Sequence, residues 1–155
     1  MTTTWKLYIH LQNINDWSLG SYIYIDKIED VRYAIALHSY LGSEILRRVL
    51  IFVMKGDIKP LWEDDMNKDG GCFSLKITNK DIDNVWLKLL IKMMDDKLFI
   101  DDMNMSRTNG ISISPKKNFS IIKIWMMDNT MNDPKILNLD RQLLANCIFR
   151  RHNIT

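Results

Sequence analysis

Cysteine, proline and glycine are scarce in this chain, with two, three and six among 155 residues. Cys72 and Cys147 lie far apart without a CxxC spacing, which excludes a disulfide framework and a zinc knuckle and fits a reducing compartment. Neither sign of charge dominates: 21 Lys and Arg against 19 Asp and Glu leave a net charge of +2. That is too mild for a protein that wraps duplex nucleic acid on a broad basic face. No apolar run approaches the roughly 20 residues of a membrane span, and the opening Met-Thr-Thr-Thr-Trp has neither the basic nor the apolar region of a signal peptide. A cytoplasmic protein with no membrane partner is expected. The sequence also lacks GxSxG, HExxH and GxxxxGK[ST], and His10, His38 and His152 stand apart from any nucleophile. No enzyme, cofactor or metal is therefore expected; the acidic runs Glu63-Asp64-Asp65 and Asp101-Asp102 read as solvated charge.

What is present is an ordinary globular composition, 46% hydrophobic and 26% charged, of a length that suits one domain over 1–155 and a monomer. Alternation and β-forming residues predict strands over 5–11, 21–25, 73–78, 110–114 and 120–127, the apolar run 49–54 reads as a short buried strand, and a short final strand is expected over 146–151. Helical spacing predicts a helix from Asp26 to about Tyr40 ending at Gly42, another from Asp81 or Asp83 to about Met94, and a last one over 134–144. In the first helix Ile28, Val31 and Ile35 form the expected core stripe, leaving Tyr33 and Leu37 outside it. In the second, Ile82, Val85, Trp86, Leu89 and Met93 form one stripe, and Leu87 and Ile91 a second. Hairpin-length connections dominate, so the fold class is α+β: an antiparallel sheet with about three helices on one face and the opposite face free for function.

The stretch from Lys55 to Phe73 spends a large aromatic and the three consecutive carboxylates Glu63-Asp64-Asp65 on a loop. Gly56 and Pro60 interrupt regular structure on one side, and Gly70-Gly71 are expected to supply positive φ on the other. Trp62 there is either a core plug or a stacking plate with Glu63 beside it. Trp17 sits in another loop, and Trp125 shares a strand face with Lys123, close to the basic hairpin tip Lys116-Lys117. Such a set suits a flat, cationic, phosphate-bearing ligand: base–aromatic stacking contributes about 1–3 kcal/mol per base, and a desolvated cation–π contact about 2 kcal/mol or more.

Trp17, the block Gly56-Asp57-Ile58-Lys59-Pro60-Leu61-Trp62-Glu63-Asp64-Asp65, Asn67-Lys68-Asp69-Gly70-Gly71, Asp83-Asn84-Val85-Trp86-Leu87 and Ile122-Lys123-Ile124-Trp125 together resemble the eukaryotic cap-binding translation initiation factor 4E family, in order and at compatible spacing. The resemblance implies a curved antiparallel sheet backed by three helices, with the 7-methylguanosine cap of messenger RNA on the concave side. It implies that Trp17 and Trp62 sandwich the methylated base, Glu63 accepts from guanine N1–H and N2–H, Trp125 touches the N7 methyl group, and Lys116, with Lys117 or Lys123, meets the phosphates. On the convex side it implies a scaffold protein presenting an amphipathic helix to Tyr33, Leu37, Trp86, Leu87 and Ile91.

The chain departs from that pattern in several places. Cys72 stands where the family usually has an arginine and Ile121 where it often has a lysine, so a thinner phosphate clamp is expected, with longer phosphate chains adding less affinity. Tyr33, or Arg32 under another alignment, takes the place of a partner-binding Trp, and Lys88 that of an acid, which implies a differently charged partner helix. The short ends suggest a minimal version, such as a virus-encoded homologue. Three readings stay open at this stage: a factor that recruits capped messenger RNA, a cap competitor that represses translation, and an interaction protein that has lost cap binding.

Overall fold

Alternation along each strand decides which side faces the helices, and the computed structural model, which describes residues 3–152, shows this strand by strand. The unit expected over 1–155 reaches beyond those limits at both ends. The elements run β1 (Trp5–Leu11), β2 (Ile23–Ile28), α1 (Val31–Leu41), β3 (Val49–Lys55), β4 (Gly71–Thr78), α2 (Ile82–Met94), β5 (Thr108–Pro115), β6 (Phe119–Met126), α3 (Arg141–Ala145) and β7 (Cys147–Arg151), with short 3-10 turns between them. The strands form one open, curved sheet in the order β2-β1-β3-β5-β6-β4-β7, and every neighbouring pair is antiparallel. The α+β class expected from the sequence is the fold observed.

One face carries Leu7, Ile9, Ile51, Val53, Phe73, Leu75, Ile111, Ile113, Ile122 and Ile124 against Ala34, Trp86, Leu89 and Met93 of the helices. At about 1.5–3 kcal/mol for each fully buried side chain of this size, this layer dominates the stability. The intervening residues turn the other way: Tyr8, Phe52, Met54, Cys72 and Trp125, joined by Ile58, make a smaller cluster on the concave face. The period of two that places Ile122 and Ile124 in the core thus delivers Trp125 and Lys123 to the concave side.

Four expectations are corrected. Strand β2 runs through Asp26, which pairs in register with Leu7, so the helix expected from Asp26 does not begin there and Asp26 is not its cap. Asp30 is: its carboxylate accepts the Tyr33 N–H at 2.8 Å, while Asp26 accepts from the Tyr33 hydroxyl. Starting the helix at Val31 also changes its inner face. Ala34 is buried and Leu37 packs partly into the core, whereas Ile35, assigned to the core stripe, is exposed. The last helix is broken: a 3-10 turn at Pro134–Ile136 and the five-residue α3 flank an extended stretch. There the Ile100 N–H donates to the Ile136 carbonyl and the Asn138 N–H to the Leu98 carbonyl, so pairing with the segment after α2 overrides the helical periodicity. Finally, Gly70 and Gly71 do not have positive φ; Gly42 and Gly56 do, at 82° and 54°. A Cβ on Gly70 would lie 1.9 Å from the Met126 carbonyl oxygen and one on Gly71 2.2 Å from that of Arg150, so the pair is required for close strand approach.

Candidate functional site

The loop between β3 and β4 is held by polar groups that leave its aromatic free. Asp64 accepts the backbone N–H of Lys59 through one carboxylate oxygen and that of Met66 through the other, both at 2.9 Å. Asn67, fully buried, donates to the carbonyls of Lys59 and Leu61, and Asn109 of β5 donates to the Met66 carbonyl and to Asn67 Oδ1. A buried amide satisfied on this many sides holds its loop firmly, because breaking any of these bonds strands a polar group away from water. Asp64 thereby serves the loop backbone. Trp62 projects from this frame with 46% of its surface exposed, and Glu63 beside it is open to solvent.

Trp17, 47% exposed, is supported from below by His10. The imidazole lies parallel to the indole at 3.9 Å with 6° between planes, and its two ring nitrogens sit 2.8 Å from the carbonyl oxygens of Leu11 and Asp16. His10 covers one face of Trp17 and leaves the other for a ligand. From there a floor of aromatic rings crosses the sheet. Tyr22 meets His10 at 4.9 Å and Phe52 at 5.3 Å, and Phe52 meets Trp125 at 6.2 Å, each edge to face. Trp125 is only 6% exposed, and its indole N–H donates to Ser112 Oγ at 3.0 Å. Burial, and then the Glu63 carboxylate, push the Tyr22 phenol up to about 12, so Tyr22 is a neutral wall.

These side chains enclose one cavity of about 410 Å³, lined by Trp17, Tyr22, Phe52, Trp62, Glu63, Lys123 and Trp125 among others. Five residues singled out from the sequence, Trp17, Trp62, Glu63, Lys123 and Trp125, drawn from two loops and one strand, thus meet around one space. Its volume lies in the usual range for a small-molecule site, and it offers flat aromatic faces, one carboxylate and one ammonium. Lys116 lines an adjoining cavity of about 490 Å³ that shares Trp62, Ser114 and Lys123 with the first. Lys117, at the exposed hairpin tip, lines neither.

Several contributors were not singled out from the sequence. Tyr22, Phe52 and Ser112 read as ordinary strand residues, and His10 as an isolated histidine. Arg150, Arg151 and His152 line the second cavity only because β7 pairs with β4. The His152 ring sits 5.1 Å from that of Trp125, with Nε2 3.8 Å from Cys72 Sγ. Burial and the nearby Lys123 push His152 down to about 4, and burial pushes Cys72 up to about 12. The pair is therefore a neutral imidazole beside a neutral thiol, without the thiolate a nucleophile needs.

On the convex side the expected partner residues separate. Trp86 is 2% exposed and belongs to the core, a correction that follows from its place on the inner stripe of α2. Tyr33 is exposed, while Leu37, Leu87 and Ile91 are half-buried. The Lys88 ammonium pairs with Asp140 at 3.2 Å, so it is not a free positive charge. No helix of the described residues is long and apolar enough to cross a membrane.

The initiation factor 4E of Saccharomyces cerevisiae is 33% identical to this chain over 75 residues, covering 47% of the chain and 34% of the yeast protein. The matched stretch thus spans about a third of the length of the first curated relatives. A Caenorhabditis elegans eIF4E-3 solved with the 4E-binding protein Mextli superimposes with a TM-score of 0.81 at 18% identity, over 97% of this chain and 91% of that one. An Ascaris suum eIF4E-3 solved with an m7G cap gives 0.79 at 18% identity, over 98% and 90%. At these identities the superpositions speak for the fold. The sequence profile described as "Eukaryotic initiation factor 4E" matches residues 1–152, which is nearly the whole chain, and this chain belongs to that family.

Proposed function

We propose that this protein binds the 7-methylguanosine cap of messenger RNA in the concave slot and brings capped messages to translation initiation through a partner on its convex face. The observation that carries this reading is the convergence of Trp17, Trp62, Glu63, Trp125 and Lys123 on one cavity. Methylation at N7 gives guanine a positive charge, so an indole sandwich binds it through cation–π attraction as well as stacking and favours it over unmethylated guanine. The Glu63 carboxylate accepts from guanine N1–H and N2–H. Adenine offers no such pair of donors and leaves the carboxylate unmet, at a cost of about 1–3 kcal/mol. Trp125, held by Ser112, closes the slot near the methyl group. Lys123 and Lys116 take the phosphates, and Lys117 adds only a diffuse charge.

The action is binding, without bond making or breaking, in the cytoplasm, by a monomeric unit built from one domain. The partner is a scaffold protein whose amphipathic helix lies on Tyr33, Leu37, Leu87 and Ile91. The pairing of Lys88 with Asp140 favours a partner helix that needs no acid opposite Lys88. Retention on immobilised 7-methyl-GTP, with elution by free 7-methyl-GTP but not by GTP, is the expected result. Passage through the resin, or equal elution by both nucleotides, contradicts the reading.

A further inference from the structure

We propose that Arg150, on the last strand, grips the phosphate chain of the ligand from the side of the slot opposite the basic hairpin tip, so that the protein prefers a long phosphate chain. This rests on the cap reading of the aromatic slot. The second cavity, about 490 Å³, is lined by Lys116, Lys123, Arg150, Arg151 and His152 and by no carboxylate. None of these four cations forms an ion pair among the described residues. The cavity beyond α2, by contrast, sets Lys55 and Lys97 against Asp95, Asp96 and Asp102. On a chain of net charge +2, a recess with four uncompensated cations is suited to a polyanion. Because it shares Trp62, Ser114 and Lys123 with the aromatic slot, that polyanion is continuous with the flat ligand.

The strand register shows how the charge reaches this place. Cys72 of β4 lies opposite Trp125 of β6 on one side and Arg150 of β7 on the other, so all three share the concave face. The thiol in the middle carries no charge. The positive charge sits one strand farther out, a spacing of about 4.8 Å, and the phosphate path runs from Lys123 across β4 to β7. A guanidinium there donates two parallel N–H bonds to a phosphate, which an ammonium cannot match. The thin clamp expected from Cys72 and Ile121 is thus thickened from the last strand, more than 70 residues beyond Cys72 in sequence.

Calorimetric titration with 7-methyl-GMP and 7-methyl-GTP tests the assignment on the full chain, on Arg150→Ala and Arg150→Lys, and on Arg141→Ala, which removes the same charge from α3. The native chain should bind the triphosphate about tenfold or more tightly than the monophosphate. Arg150→Ala should lose most of that gain while binding 7-methyl-GMP within about twofold of native. Arg150→Lys should fall between, and Arg141→Ala should change neither ligand. Equal binding of the two nucleotides by the native chain, or an unchanged triphosphate affinity in both Arg150 variants, overturns the role of Arg150 and leaves the slot standing. Failure to bind either nucleotide overturns the slot reading, and this inference with it.

Discussion

Trp62 and Trp86 contrast the two faces of the sheet. Both lie in segments that resemble the same family, and both are large aromatics that the sequence marks for function. Trp62 stands 46% exposed on a loop tied down by Asp64, Asn67 and Asn109, while Trp86 is 2% exposed between α2 and the sheet. Trp62 is displayed on the concave side, whereas Trp86 is used up in packing on the convex side. The concave side can display it because its backbone is immobilised by satisfied buried polar groups, so the exposed indoles are not needed to hold the loop. A tryptophan's role here is set by the support beneath it more than by its neighbours in sequence.

The sharpest way to break this contrast is to truncate each aromatic and ask which property fails. Trp86→Ala should destabilise the fold by about 3–5 kcal/mol, measured by urea unfolding, while the folded fraction keeps its preference for 7-methyl-GTP over GTP. A small stability loss with a large loss of partner binding would return Trp86 to the surface. Asn67→Ala should cost about 1–3 kcal/mol and also weaken cap binding, because Trp62 loses its frame. Unfolding and nucleotide titration measured on the same sample check both effects. If stability falls and affinity does not, the loop holds its shape without Asn67.

Glu63→Gln should leave stability unchanged, because Glu63 is exposed and its carboxylate forms no ion pair among the described residues. It should lower affinity for 7-methyl-GTP by roughly tenfold and narrow the gap to 7-methyl-ATP, since a neutral amide accepts more weakly than a carboxylate.

The smallest expected effect is a pH dependence at the edge of the slot. Burial and Lys123 hold His152 near pKa 4 in the folded chain, against 6.5 ordinarily. Between those values the unfolded chain takes up a proton that the folded chain refuses. The contribution is therefore whole above about pH 6.5 and is lost as pH falls toward 4. After allowance for the partial exposure of His152 it amounts to about 1–2 kcal/mol. His152→Gln should show a shallower loss of stability from pH 7 to pH 4.5 than the native chain; parallel curves would mean that His152 is solvated.

Much of the fold could be read from local chemistry. The period of two in β1, β4 and β6 and the inner stripe of α2 are dictated by side chains that must find a core, and these stand where expected. The loop carrying Trp62 and Glu63 was marked by Gly56 and Pro60, which forbid continuation of the strand. What was not legible depends on partners distant in sequence. The stretch from Pro134 to Leu144 has helical spacing, yet its backbone pairs with the segment at 98–100. The face of α1 turned because β2 extends three residues farther along β1 than its composition suggests. Asn67 and Asn109 look like loop polarity until each is found buried against the other, and Arg150 enters the second cavity only through the pairing of β7 with β4.

The most direct measurement is the ratio of dissociation constants for GTP and 7-methyl-GTP, obtained from quenching of tryptophan fluorescence at one ionic strength. If the concave slot is a cap site, the ratio should exceed about 30, the equivalent of a desolvated cation–π contact of 2 kcal/mol, and should collapse toward one in Trp62→Ala. A ratio near one in the native protein would mean that the exposed indoles do not read the methylated base, and the concave face would then need another ligand.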